Sequence, residues 1–276
     1  MKHWKPAAIA ALWSGALYAA PMPVVASFSI LGDVAQQIGG ERVGVQNLVG
    51  ANQDAHAYNL TSGDIKKIRE ARLVLLNGLG LEKAELQRAV KQSKVASAEA
   101  TAGIKPLAAD EHDHEHDHSH GHDHDHGEFD PHVWNDPVLM QRYAANVAIA
   151  LIKADPAGSR YYQQRFKDYQ HVLNQLNNYA NQQFGAVAPA KRKVLTGHDS
   201  FAYLGKRYQV KFISPQGVSS EAEPSARQIT AIIRQIKAEN VKAVFTENIK
   251  DGRMIARIAK DLVADYISAS VYEDVV

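Results

Sequence analysis

Apolar and polar positions along this chain alternate between short β-rich runs and stretches with helical spacing. Phe28 to Leu31, Val43 to Val49 and Leu73 to Asn77 predict strands, and the patterns from Val34 to Ile38 and from Asp64 to Ala71 predict helices between them. Thr61-Ser62-Gly63-Asp64 has the form of a capping-box helix start, which leaves His56 in the loop between the second strand and that helix. Loops at the carboxyl ends of strands are where open α/β sheets hold ligands, although a single loop histidine taken alone reads as a solvated residue.

Pro137 to Ala154 predicts a further helix, and Asp155-Pro156 supplies a cap followed by a proline suited to a first helical turn. No Gly or Pro interrupts Ser159 to Gln183, where Tyr162, Phe166, Tyr169, Leu173, Leu176 and Tyr179 recur at helical spacing as one expected buried face. At about 1.5 Å per residue such a helix is about 40 Å long. Strands are expected near Lys193 to Thr196, Val210 to Ile213, Ala243 to Thr246 and Tyr266 to Ala269, with helices at Phe201 to Tyr208, Ser225 to Glu239 and Arg253 to Val263. The economical fold is α/β: two α/β lobes, residues 27–154 and 186–276, joined by one long helix over residues 155–185. A single nine-stranded domain is the alternative.

The amino end has a different character. Met1-Lys2-His3-Trp4-Lys5 precedes a mostly apolar stretch from Ala7 to Ala20, and no acidic residue occurs before Asp33. This is the pattern of a secretory signal peptide, too short to span a bilayer comfortably, with Val24 and Ala26 at the −3 and −1 positions of a cut after Ala26. The competing reading is a buried helix of the mature fold. Removal of residues 1–26 takes away Lys2 and Lys5, changes the formal charge from +1 to −1, and gives an exported, periplasmic protein.

Composition sharpens the picture at one point. Lys and Arg total 31 against 30 Asp and Glu, which gives no electrostatic case for a nucleic-acid partner. The absence of cysteine excludes disulfide scaffolds, thiolate metal sites and a diacylglyceryl-cysteine anchor, so any metal is held by imidazole and oxygen. Of 13 histidines, eight fall in one run: His112, His114, His116, His118, His120, His122, His124 and His126. The surrounding segment, residues 110–128, adds eight acidic residues and nothing that could build a core, so it is expected to be a disordered loop despite its period of two. Imidazoles interleaved with carboxylates suit weak, exchangeable capture of several ions, an auxiliary collecting arm beside a tighter site. An acidic solvating linker is the competing reading.

Outside the run the expected mature chain has His56, His132, His171 and His198. His171 falls inside the long helix and reads as a packed or surface residue. His132, in Asp130-Pro131-His132-Val133-Trp134, and His198, in Thr196-Gly197-His198-Asp199-Ser200, lie in loop-like contexts as His56 does. Three imidazoles plus one carboxylate or water complete a tetrahedral zinc site, and Asp274, just after the last strand, is the natural fourth candidate.

These segments together resemble a known family: the metal-binding receptors of zinc and manganese ABC importers, cluster A-I solute-binding proteins, especially zinc receptors of the AztC and ZnuA type. The resemblance spans nearly all of the mature chain. It rests on residues 50–58 (Gly-Ala-Asn-Gln-Asp-Ala-His-Ala-Tyr), the Asn77-Gly78-Leu79-Gly80-Leu81-Glu82 turn, Asp130 to Trp134, Gly197 to Tyr203, and Val244-Phe245-Thr246-Glu247. By resemblance, His56, His132, His198 and Asp274 are the metal ligands, the cargo is Zn(II), and two lobes bridged by one long rigid helix hold it in the cleft between them. The implied partner is an ABC permease in the inner membrane, with a periplasmic metallochaperone as a candidate second partner and the receptor itself a monomer. The family pattern continues with another helix past the aspartate loop, whereas this sequence stops two residues after Asp274.

Two other classes compete. A periplasmic zinc hydrolase would need an open coordination position and a general base, for which Asp199 or Glu247 could be proposed, yet no His-Glu-x-x-His motif is present and hydrogen bonding to a ligand suits both residues better. A zinc buffer or metallochaperone would depend on the histidine run itself. Outside that run the mature chain carries a net charge of +7, −1 with eight acids removed, spread over faces available to the permease or to the acidic arm.

Overall fold

Met22–Phe28 forms the first strand, β1, of the computed structural model, which describes residues 20–109, 128–221, 223–241, 243–249, 252–262 and 267–271. A cut after Ala26 is therefore corrected. It would remove five of the seven residues of a strand that pairs with a neighbour on each side, and Ala26 itself is fully buried between Asn47 and Leu75. A boundary ahead of Met22 is compatible with the fold; residues 1–19 lie outside the described residues. The expected strand at Phe28 to Leu31 is corrected with it. Helix α1 (Ser29–Gly39) begins there, because Ile30, Leu31, Val34, Ala35 and Ile38 make a single helical face that the core buries.

The N-terminal lobe continues with β2 (Val43–Val49), α2 (Ser62–Glu70), β3 (Leu73–Leu76), α3 (Ala84–Ser93) and β4 (Ala96–Glu99). The sheet is parallel, in the order β2-β1-β3-β4. Alternation along its strands supplies two cores. Val24, Ala26, Leu73 and Leu75 face α1, α4 (Pro137–Ala154) and α5 (Ser159–Ala186), while Val25, Val74 and Leu76 face α2 and α3.

The C-terminal lobe repeats the arrangement with β5 (Lys193–Leu195), α6 (Ala202–Tyr208), β6 (Lys211–Ile213), α7 (Ala226–Glu239), β7 (Ala243–Glu247), α8 (Arg253–Leu262) and β8 (Ile267–Val271), in the parallel order β6-β5-β7-β8. Leu195, Ile213, Ile236, Val244, Ile255 and Ile258 form its own core. No described helix is long and apolar enough to cross a membrane.

Helix α5 serves both lobes. Tyr162, Phe166, Tyr169 and Leu173 pack on the N-terminal core, and Ala180 and Phe184 pack on Val194, Tyr208 and Val210 of the other lobe. The expected face is thus corrected at its end: Leu176 and Tyr179 are 49% and 62% exposed, because the contact passes through Asn177, which accepts from the Tyr208 hydroxyl, to Ala180 and Phe184. The lobes are further tied by Arg207 of α6, whose guanidinium makes a forked ion pair of 2.7–3.0 Å with Asp136 at the start of α4. Tyr203 adds a hydroxyl bond to the Asp130 carbonyl at 2.8 Å.

Candidate metal centre

Both sheets present the carboxyl ends of their strands to the site, and the crevice opens where neighbouring strands lead off in opposite directions. In the C-terminal lobe that point lies between β5 and β7. His198 follows β5, and Glu247 is the last residue of β7. Glu247 Oε2 lies 2.6 Å from His198 Nδ1, and Oε1 accepts the backbone N–H groups of Gly197 and His198 at 2.7 and 3.1 Å. Burial would raise the Glu247 carboxyl, but the bonds from His198 and from these backbone groups outweigh it and hold it below the ordinary range. Gly197 is required for this approach, since a Cβ there would sit 2.9–3.0 Å from the Glu247 carboxylate.

The N-terminal lobe uses the same device on His132. Asp130 Oδ1 accepts the His132 backbone N–H at 2.9 Å and faces His132 Nδ1 at 2.7 Å. Asp54 Oδ1 accepts the His56 backbone N–H at 3.0 Å and closes the turn that carries that ring in the loop between β2 and α2. A carboxylate on Nδ1 fixes the tautomer with its proton there and leaves Nε2 with the lone pair, the arrangement that orients a metal-binding imidazole. Burial, then the neighbouring His198, pushes His132 well below the usual imidazole pKa, so it stays neutral and able to donate at neutral pH.

The three rings converge. His56 Nε2 and His132 Nε2 are 3.1 Å apart, ring centroids are separated by 5.1 to 5.8 Å, and one nitrogen from each ring lies within 4.8 Å of the others. Ligands placed tetrahedrally about 2.0–2.1 Å from a zinc ion stand about 3.3 Å from one another, so small ring movements would let the three share one cation. The space between them is a cavity of about 20 Å³ walled by Phe28, Ile30, Leu81, Trp134 and Ile249, room for a single small ion. Trp134 meets the His132 ring at 5.1 Å and Phe28 at 4.9 Å, which walls that ring with apolar surface.

Behind His132 a buried network fixes the loop. Asn77 donates to the Pro131 carbonyl at 3.2 Å and accepts from the Tyr143 hydroxyl, while its backbone N–H and that of Gly78 are held by Glu82 at 2.6 and 3.0 Å. Glu82 also accepts from Ser27, and its burial raises its carboxyl pKa.

Of the expected ligands, His56, His132 and His198 are brought together. Asp274 and the histidines from His112 to His126 lie outside the described residues. The ends of the run are side by side: Ala109 N–H donates to the Glu128 carbonyl and Ala108 bridges Phe129, two residues before Pro131. His171 is exposed on α5 beside Gln175. Sequence reasoning did not assign Asp54 and Asp130 their orienting roles, although the repeated Asp-x-His spacing of Asp54/His56 and Asp130/His132 carried the signal.

Residues 24–274 match the family described as zinc-uptake complex component A, periplasmic (ZnuA). The chain belongs to that family. It is therefore a metal-binding receptor of an ABC importer, a non-catalytic protein whose partner is a membrane permease. Among its relatives, the manganese-binding lipoprotein MntA of Bacillus subtilis is 31% identical over 82% of this chain and 71% of its own. The periplasmic zinc-binding protein TroA of Treponema pallidum superposes with a TM-score of 0.80 at 25% identity, covering 92% of this chain and 89% of that one. A manganese-bound periplasmic metal-binding protein of candidatus Liberibacter asiaticus gives 0.76 at 26% identity, covering 90% and 88%.

Proposed function

We propose that this receptor captures Zn(II) in the periplasm and delivers it to its permease, with Asp274 completing the set of His56, His132 and His198. The observation that carries the choice of zinc is the donor set: three imidazoles in one small cavity, two of them backed on Nδ1 by buried carboxylates. Nitrogen-rich tetrahedral sites suit zinc, whereas manganese is better served by carboxylate, carbonyl and water oxygen in octahedral geometry. In this reading a leader ending ahead of Met22 exports the chain, and the histidine run concentrates zinc near the site to which its ends lead. Manganese is the second reading, favoured by relatives named for that ion.

Competition titrations with chelators on the leader-free protein test the zinc reading. Zinc should bind with one tight ion per chain and outcompete manganese by orders of magnitude, following the usual order of divalent affinities and the nitrogen donors. His132→Ala should abolish tight binding, and deletion of residues 112–126 should lower the total stoichiometry while leaving the tight ion. Preferential retention of manganese would contradict the zinc assignment, and loss of all tight binding on the deletion would favour a buffer.

A further inference from the structure

His56 differs from its two companions. His132 and His198 are 1% and 0% exposed, whereas His56 is half-buried on an outer loop whose turn is closed by Asp54 through a backbone bond. The other oxygen of Asp54 crosses the cleft. Asp54 Oδ2 accepts the hydroxyl of Ser220, a fully buried residue of the C-terminal lobe in the segment between β6 and α7. That segment also reaches His198, through the bond from Asp199 N–H to the Gly217 carbonyl at 3.2 Å. One carboxylate therefore shapes the turn that presents a ligand from one lobe and grips a hydroxyl whose segment is tied to the ligand of the other.

Two more contacts lie along the same lip. Asn248 donates to Asn52 Oδ1 at 2.7 Å, and Lys83 pairs with Glu221 at 2.6 Å. The Lys83 and Glu221 side chains are 30% and 47% exposed, so that pair is weakened by water and salt, while a hydroxyl bond to a carboxylate at a buried serine is of the stronger, charge-assisted kind.

We infer that Ser220 is a positioning residue for the metal ligand His56: through Asp54 it holds the His56 turn against the opposite lobe, so that separating the lobes there withdraws one ligand. This rests on the receptor reading above. Release then begins at His56, and Ser220 sets how often that ring leaves the metal.

The test is the rate at which protein loaded with one equivalent of Zn(II) yields its ion to excess chelator, followed by the fluorescence of Trp134, the sole tryptophan in the leader-free chain, beside His132. Ser220→Ala should speed release about tenfold, the low end for losing a partner that orients a metal ligand, with one ion still bound. Ser220→Thr, which keeps the hydroxyl, should restore most of the slow rate. The double variant Asp54→Ala/Ser220→Ala should release no faster than Asp54→Ala alone, and Lys83→Ala should stay within about twofold of wild type. Wild-type release by Ser220→Ala, full additivity with Asp54→Ala, or an equal acceleration by Lys83→Ala would overturn the positioning role. A wild-type chain that takes up no zinc would overturn the zinc reading itself, and the role of Ser220 in holding zinc with it.

Discussion

Gly197 illustrates how a residue with no side chain governs the site. The Glu247 carboxylate reaches both His198 Nδ1 and the backbone before it only because nothing projects from position 197. Gly197→Ala should push that carboxylate away and lower zinc affinity about 10–100-fold while leaving His198 in place, measured by chelator competition. Glu247→Gln should act in the same direction, since an amide cannot supply the charge that favours Nδ1–H. At this scale the sequence was legible for the three imidazoles that converge and less so for the groups that support them. Motif context separated His56, His132 and His198 from His171. Glu247 lies 49 residues from His198, and only the pairing of β5 with β7 brings them together, so no local pattern marks it as that ring's partner. Asp54 and Asp130, two residues ahead of their histidines, were within reach of a local reading.

Among the elements, α2 shows how a helix start anchors the His56 loop. Thr61 and Asp64 form a reciprocal capping box, and Asp64 also accepts the Tyr58 hydroxyl at 2.7 Å, tying the end of the His56 loop to the helix. Burial would raise the Asp64 carboxyl, but its bonds from Thr61, Tyr58 and Lys67 prevail and bring it down to about 2. A carboxyl with a folded pKa below its unfolded value contributes stability above the unfolded value, near 4, and loses it as pH falls through the folded one. Asp64→Ala should therefore cost about 1–2 kcal/mol at neutral pH, with the difference from wild type narrowing in urea titrations as pH is lowered from about 5 toward 2. Along α5, Leu173→Ala should cost about 2–5 kcal/mol by opening a cavity, whereas Leu176→Ser should stay within about 0.5 kcal/mol because that side chain faces water. Helices with strong periodicity and clear caps were readable in sequence, α4 to the residue. β1 was not, because its apolar run continues directly from the stretch that resembles a leader, and β4 was not, because Ala-Ser-Ala-Glu at a sheet edge has no hydrophobic pattern.

For the whole molecule, two sheets of matching strand order aim the carboxyl ends of their strands at one crevice, and α5 spans both cores. The bipartite α/β plan was legible from the alternation of strands and helices on either side of one long uninterrupted helix. What the linear pattern could not supply was the set of cross-lobe bonds, since Arg207 with Asp136 and Ser220 with Asp54 join residues 71 and 166 positions apart. Arg207→Ala should loosen the lobes and leave Asp136 as a cap of α4 alone, a loss of about 1–3 kcal/mol in the unfolding free energy read by urea titration. The most direct measurement is X-ray absorption and anomalous diffraction at the zinc edge on the loaded, leader-free protein. One tightly held ion is expected, bound by three imidazole nitrogens, from His56, His132 and His198, at about 2.0–2.1 Å and by one oxygen. An ion held by the histidine run alone, with these three rings sharing none, would contradict that expectation.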